Sequence, residues 1–384
     1  MFYNPFTPVF GGKPDFFFGR KDVLARFARA LEVRGSEDRT LFITGTRGSG
    51  KTALVEQLSM RASAAGWDVI DLTADNALQS FFRQIQEFDE SSSTVDPRIE
   101  VSVFGSGGSL GGLSTTKTSH YNADDMDVLF RRACEGAKRG FLVSIDEIQK
   151  VPLEDVSKIC GAFQMASRKG HDVILVVAGL PYSFEPAIQH DGCTYLRRCV
   201  HEKLGLFTPA ETREAFREAF GRIEGLTLAE RALELLVRRS SGHPYMMQLL
   251  GYHLVEFLNG SVVSKSHAVN VEDVDTVLPL AMEAYERRAL RPMVDSLAPF
   301  VQSYLRAMAA TVGEDHVART GDVANALGKS HQQLASARQT LIDEGVIVAC
   351  GHGCVRFAVP YLRTFLAKPD PDSVQLALLD EWDV

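Results

Sequence analysis

Strand-length runs of apolar residues alternate with helix-period stretches over the first half of the chain. Residues 40–44, 68–72, 141–146 and 173–178 are strand candidates; 173–178 is wholly apolar and 141–146 mostly so, the pattern of strands covered on both faces, while 40–44 and 68–72 carry shorter apolar runs. Residues 75–88 and 125–137 instead gather their apolar side chains on one face of a helix. That alternation predicts βαβ units around a parallel sheet with helices on both faces, an α/β core. After Thr208 the pattern turns almost wholly helical. Thr208, Pro209, Ala210 and Glu211 read as a helix start with proline in the first turn, and helical stretches follow at 226–239 and 245–258. The expected organisation is a core over 1–207, a helical unit over 208–290, a mixed unit over 296–368 and a tail over 369–384 with five acids and no base. Residues 91–119, rich in Ser, Thr and Gly, read as an insertion in the core that either serves a partner or is plain surface.

Composition narrows the classes. A chain of 384 residues, 45% hydrophobic and 23% charged, is long enough for two or three domains without disulfide or metal support. Its formal charge of -8 means that any nucleic-acid contact needs a local basic face. The first residues lack the basic segment and unbroken apolar stretch of a signal peptide, and the longest apolar run, 173–180, is too short to span a bilayer. Six cysteines in so long a chain do not make a disulfide framework, so a cytoplasmic protein with reduced thiols is expected.

The strongest chemical signal is the run Gly45, Thr46, Arg47, Gly48, Ser49, Gly50, Lys51, Thr52, which fits G-x-x-x-x-G-K-[ST] throughout. An apolar strand pattern precedes it and a helix pattern opens at Ala53. The glycines let successive N–H groups turn toward phosphates, and the helix N-terminus adds positive partial charge. Lys51 is expected at the β and γ phosphates, and the Thr52 hydroxyl at Mg²⁺. Residues 141–145 then end in Asp146 and Glu147, which places two acids at the carboxyl edge of the sheet. Asp146 is the expected second Mg²⁺ partner, and Glu147 the group that orients the attacking water.

Together these residues resemble the P-loop ATPases of the AAA+ and STAND type, particularly the archaeal-type and origin-recognition-like members. The resemblance implies that Phe17, Phe18, Gly19 and Arg20 cover the adenine of ATP, although Lys21 stands where that family places an acid. It also likens Gly242, His243 and Pro244 to the Gly-x-Pro signature of a lid whose proline approaches the base. Two departures follow. The apolar end of 173–181 lacks the polar side chain that senses the γ-phosphate, which implies slow hydrolysis. Met246, Met247 and Gln248 occupy the place of a lid arginine in origin-recognition-like members. Arg197 and Arg198 are either an arginine finger acting on a second copy or a solvated basic pair.

In the last unit, residues 320–328 read as a short helix, Ser330 as the cap of a second helix to about 344, and 346–359 as a hairpin. This order resembles a winged-helix domain, whose second helix enters the DNA major groove. Gln332, Gln333 and Ser336, with Lys329, Arg338 and Arg356 nearby, are then candidate DNA contacts. A protein-docking surface is the alternative. Cys350, His352 and Cys354 suggest zinc, but three ligands on a tight glycine turn fall short of a structural site. The sequence thus predicts a Mg²⁺-dependent ATPase that couples nucleotide state to duplex DNA or to a protein effector, with self-assembly as a further expectation.

Overall fold

The computed structural model describes residues 1–9, 16–92, 123–261 and 264–368. The greater part of the 91–119 insertion and the whole acidic tail lie outside them. Helix α1 (Lys21–Glu32) leads into β1 (Thr40–Gly45), α2 (Lys51–Ala64), β2 (Asp68–Leu72), α3 (Ala77–Ser92), α4 (Ala123–Gly136), β3 (Phe141–Ile145), α5 (Leu153–Arg168), β4 (Val173–Gly179), α6 (Phe184–Gln189) and β5 (Val200–Leu204). The strands form one parallel sheet in the order β2-β3-β4-β1-β5.

Alternation along each strand decides the layers. Leu41 and Ile43 of β1 face α1 and α2, together with Leu142, Ile174 and Val176. Phe42 faces the other way, as do Val143, Leu175 and Val177, into a core completed by α3, α4 and α5. Strands β3 and β4 are buried along their whole length, as their apolar runs predict. Strand β2 is not: it is the sheet edge, and Asp71 is exposed there.

The helical unit contains α7 (Pro209–Phe220), β6 (Leu226–Leu228), α8 (Glu230–Ser240), α9 (Pro244–Ser261), β7 (His267–Val269) and α10 (Val271–Tyr285). Thr208 and Glu211 close a capping box on α7, with proline in its first turn. The helix expected from 226 begins later, because Leu226–Leu228 pairs in parallel with His267–Val269. No break separates this unit from the next. Helix α10 continues through a π-helical turn, Glu286–Leu290, into α11 (Arg291–Asp295).

The last unit runs α12 (Pro299–Thr311), β8 (Ala318–Arg319), α13 (Thr320–Leu327), α14 (His331–Asp343), β9 (Ile347–Ala349), β10 (Cys354–Phe357) and α15 (Leu362–Leu366). Strands β9 and β10 form the expected antiparallel hairpin, and β8 adds to the outer side of β10. One apolar cluster extends from Phe207 through α9 and α10 to Leu366, and it also takes in Phe2 and Phe6. Among the described residues no helix is long and apolar enough to cross a membrane.

Candidate nucleotide site

The site is built where β1 ends. Gly45 has room for no side chain: a Cβ there would lie 2.4 Å from Ser49 Oγ and 2.9 Å from the Leu204 carbonyl. Gly48 and Gly50 take φ values of 76° and 88°, the left-handed region that glycine enters without strain. Gly50 is the N-cap of α2 and supplies no side-chain cap, so the first amides of α2 have no side chain closed over them.

Lys51 opens α2 and donates from Nζ to the carbonyls of Gly45 (2.8 Å) and Thr46 (3.0 Å). Burial pulls its pKa down to about 8, opposed by the nearby Asp146 carboxylate. Thr52 Oγ1 donates to Asp146 Oδ2 at 2.7 Å, joining the ends of α2 and β3. A hydroxyl and a carboxylate side by side are hard oxygen donors of the kind Mg²⁺ takes, so the residues fit that ion. Glu147 follows with φ of 52°, its backbone N–H held by Asp146 Oδ1 at 2.9 Å and its carboxylate ion-paired to Lys150. The end of β4 carries no polar side chain. Gln149 reaches it from another segment, its Oε1 accepting from the Leu180 N–H at 3.2 Å.

The cavity beside this loop is lined by Phe18, Arg20, Ala53, Phe207 and Pro244. Arg20 takes a left-handed conformation at the N-cap of α1, places its guanidinium 4.5 Å from the Phe207 ring centre and donates to the Gly205 carbonyl at 2.5 Å. Burial lowers the Arg20 pKa. A Cβ on Gly19 would lie 2.5 Å from the Phe207 ring. Phe207 is therefore the seat of the Phe18-Gly19-Arg20 segment.

His243 closes the loop from behind. It is 2% exposed, and a Cβ on Gly48 would come within 2.6 Å of its Cε1. Neither ring nitrogen makes a hydrogen bond of ordinary geometry, although the Arg47 backbone partly offsets the cost of burial. Burial pushes the imidazole pKa down to about 4, so it is neutral beside the loop. Phe207, Thr7 and Val9 of this cavity were not expected from the sequence, and Gln248 was expected only as a replacement for a lid arginine. No local string marks them, because chain segments far apart bring them together.

The other expected residues lie elsewhere. Arg197 and Arg198 are exposed just before β5, at the sheet end opposite the phosphate loop, so neither meets this chain's own loop. Arg197 donates to the Ile188 carbonyl and pairs with Asp191. In the last unit Lys329, Gln332, Ser336 and Arg356 are exposed. Gln333 is exposed too, but its Oε1 accepts from Ser330 N at 2.9 Å as half of a capping box. Arg338, expected as a DNA contact beside that face, is half-buried, with its Nε enclosed, because it shares a helix face with buried Leu334 and Leu341. Among the described residues no group of three or more His, Cys, Asp or Glu is arranged for a metal.

A second junction meets the phosphate loop. Arg47 lies 3.5 Å from Glu344 at the end of α14, and a Cβ on Gly345 would be 3.0 Å from Thr46 Cγ2. The C-terminal unit therefore abuts the loop itself.

Residues 17–177 match the AAA ATPase domain family, and residues 287–366 match a domain of unknown function, DUF8462. No curated protein matches the chain. Among solved structures, the Aeropyrum pernix ORC2 protein, in ADPNP–ADP complexes, is 16% identical, with 94% of each chain covered and a TM-score of 0.59. The Thermotoga maritima RuvB Holliday junction branch migration motor is 16% identical over 94% of this chain and 98% of its own, with a TM-score of 0.46. The Aeropyrum pernix ORC1 protein in complex with DNA is 18% identical over 94% and 95%, with a TM-score of 0.45. The family match, the parallel sheet and the phosphate loop together make residues 17–177 a P-loop domain of the AAA ATPase type, in a chain that shares its fold with the ORC2 protein.

Proposed function

We propose that this protein binds ATP with Mg²⁺, hydrolyses it slowly, and passes its nucleotide state to the C-terminal unit. The observation that carries the first part is the Lys51, Thr52 and Asp146 cluster beside an uncapped helix start. Lys51 exchanges its two carbonyl partners for phosphate oxygens, and the first amides of α2 receive the rest of the phosphate charge. The Thr52 hydroxyl and Asp146 carboxylate would hold Mg²⁺, which neutralises charge between the β and γ phosphates when bound. Glu147 accepts the proton of the attacking water once it leaves Lys150. That pairing and the apolar end of β4 support slow turnover. The ORC2 protein's own complexes, with ADPNP and ADP, are in keeping with an adenine nucleotide.

The contact of Glu344 and Gly345 with Arg47 and Thr46 supports coupling to the C-terminal unit. The order α12, β8, α13, α14 and the hairpin follows that of a winged helix, and its exposed Lys329, Gln332 and Arg356 suit a phosphate backbone. A second reading, docking of a protein effector, is favoured by the commitment of Gln333 to its cap and the burial of Arg338. A cytoplasmic location suits the six free thiols.

The test is ATP turnover by the purified chain with and without duplex DNA. Slow Mg²⁺-dependent turnover is expected, reduced about 10²- to 10⁴-fold by Glu147→Gln with ATP binding retained. Absence of ATP and ADP binding at millimolar nucleotide would remove the reading. Stimulation by DNA selects the first form of coupling, and a Glu344→Lys variant that alters ATP affinity without DNA response selects the second.

A further inference from the structure

The N-terminal segment is a strap along α9. Asn259 Oδ1 accepts from Phe2 N at 2.5 Å, and its Nδ2 donates to the Phe2 carbonyl at 3.1 Å. Asn4 Nδ2 then donates to Glu256 at 2.8 Å, and Thr7 N donates to Gln248 Oε1 at 2.9 Å. Between Phe2 and Thr7 an extended chain advances about 16 Å, and the helix from Asn259 back to Gln248 also spans about 16 Å. The two lengths agree, so the strap runs antiparallel to α9 in register, without slack.

Phe6 fixes that register. It is 2% exposed, its ring centre lies 5.5 Å from that of Phe220, and a Cβ on Gly251 would come within 2.3 Å of it. Burial of one such ring is worth about 2–3 kcal/mol, enough to hold the segment down. The strap delivers Thr7 and Val9 to the cavity that also holds Phe18, Phe207 and Pro244. That wall is mostly apolar, and such walls use a few fixed polar groups to orient a ligand. Gln248 is one, with its carbonyl oxygen occupied by the Thr7 N–H. Among the described residues no protein group accepts from its Nε2.

We infer that Gln248 reads the nucleobase of the bound nucleotide, its Nε2 donating to a ring nitrogen of the purine, and that the strap's Thr7 N–H positions it. This rests on the reading of the cavity as a nucleotide site. Thr7 is a positioning residue that acts through Gln248. Thr7 and Val9 are on this account a wall of the base subsite, held there by the rest of the strap.

The test compares Mg²⁺-ATP with Mg²⁺-tripolyphosphate, which shares the phosphates and lacks the base, by calorimetry on the full chain. Gln248→Leu is expected to weaken ATP about 3- to 10-fold, the worth of one hydrogen bond, and to leave tripolyphosphate unchanged. Thr7→Pro, which removes the N–H together with the threonine hydroxyl and fixes φ, is expected to give a smaller loss of the same kind. Gln248→Glu, close in size, repeats the test if the leucine variant misfolds. Unchanged ATP affinity in the Gln248 variants, or equal losses for both ligands, overturns the inference. A wild-type chain that binds neither ligand overturns the nucleotide reading itself.

Discussion

The first turn of α2 and the first turn of α14 begin with the same shortage, amide donors that no carbonyl of the helix can satisfy. They meet it in opposite ways. In α14, Ser330 Oγ accepts from Gln333 N and the Gln333 side chain accepts in turn from Ser330 N, so two donors of the helix start are closed reciprocally within the chain. In α2 the cap is Gly50, which brings no oxygen, no acid stands in the first turn, and Lys51 adds a cation there. A closed helix start is structure finished locally. An open one beside a buried ammonium is structure left for an anion to finish.

Four measurements test this contrast. The largest effect is expected at Lys51. Lys51→Ala removes a charge-assisted contact worth about 2–3 kcal/mol, so ATP binding should weaken roughly 30- to 150-fold while the melting temperature holds. Calorimetry and thermal melts check it, and an unaltered affinity would detach Lys51 from the phosphates.

The pH dependence comes next. In the free chain Lys51 is held at about 8 by burial, and phosphate would raise it again. Binding therefore takes up a proton above that pH, and affinity should fall by about tenfold per unit beyond pH 8. A flat profile to about pH 9.5 would count against the assignment.

Gly48→Ala puts a side chain both in the left-handed region and against His243. The backbone term alone is about 1–2 kcal/mol, and the melting temperature should drop by several degrees together with ATP affinity. Ser330→Ala has the smallest effect: about 1 kcal/mol of stability with ATP affinity unchanged. If the serine variant weakened ATP as the lysine variant does, the contrast between the two helix starts would collapse.

Legibility in the sequence followed the range of the interaction. The phosphate loop was readable because glycine, lysine and threonine are demanded at fixed local steps by backbone geometry. Strands β3 and β4 were readable because both faces are covered and every residue is apolar or small. The pairing of Leu226–Leu228 with His267–Val269 was not, since three residues are too few for a period to emerge. Phe207 and Thr7 were not, nor was the pairing of Thr7 with Gln248, because their meaning arises only when segments far apart meet, 241 residues apart at Thr7 and Gln248. Arg338 misled for a local reason: a charged residue between two buried leucine positions packs its stem inward.

The unbroken passage from α10 through its π-helical turn into α11 has a consequence for cooperativity. The match to the C-terminal family begins at residue 287, within that turn, yet the apolar cluster runs across it without interruption. A boundary between evolutionary segments is thus not a boundary between folding units. Residues 208–368 should melt as one body, with no separate transition for the C-terminal unit. Under the proposed coupling, a tilt imposed at Thr46 and Arg47 by an arriving phosphate would be carried by the whole body, as a lever carries load, rather than absorbed at a joint.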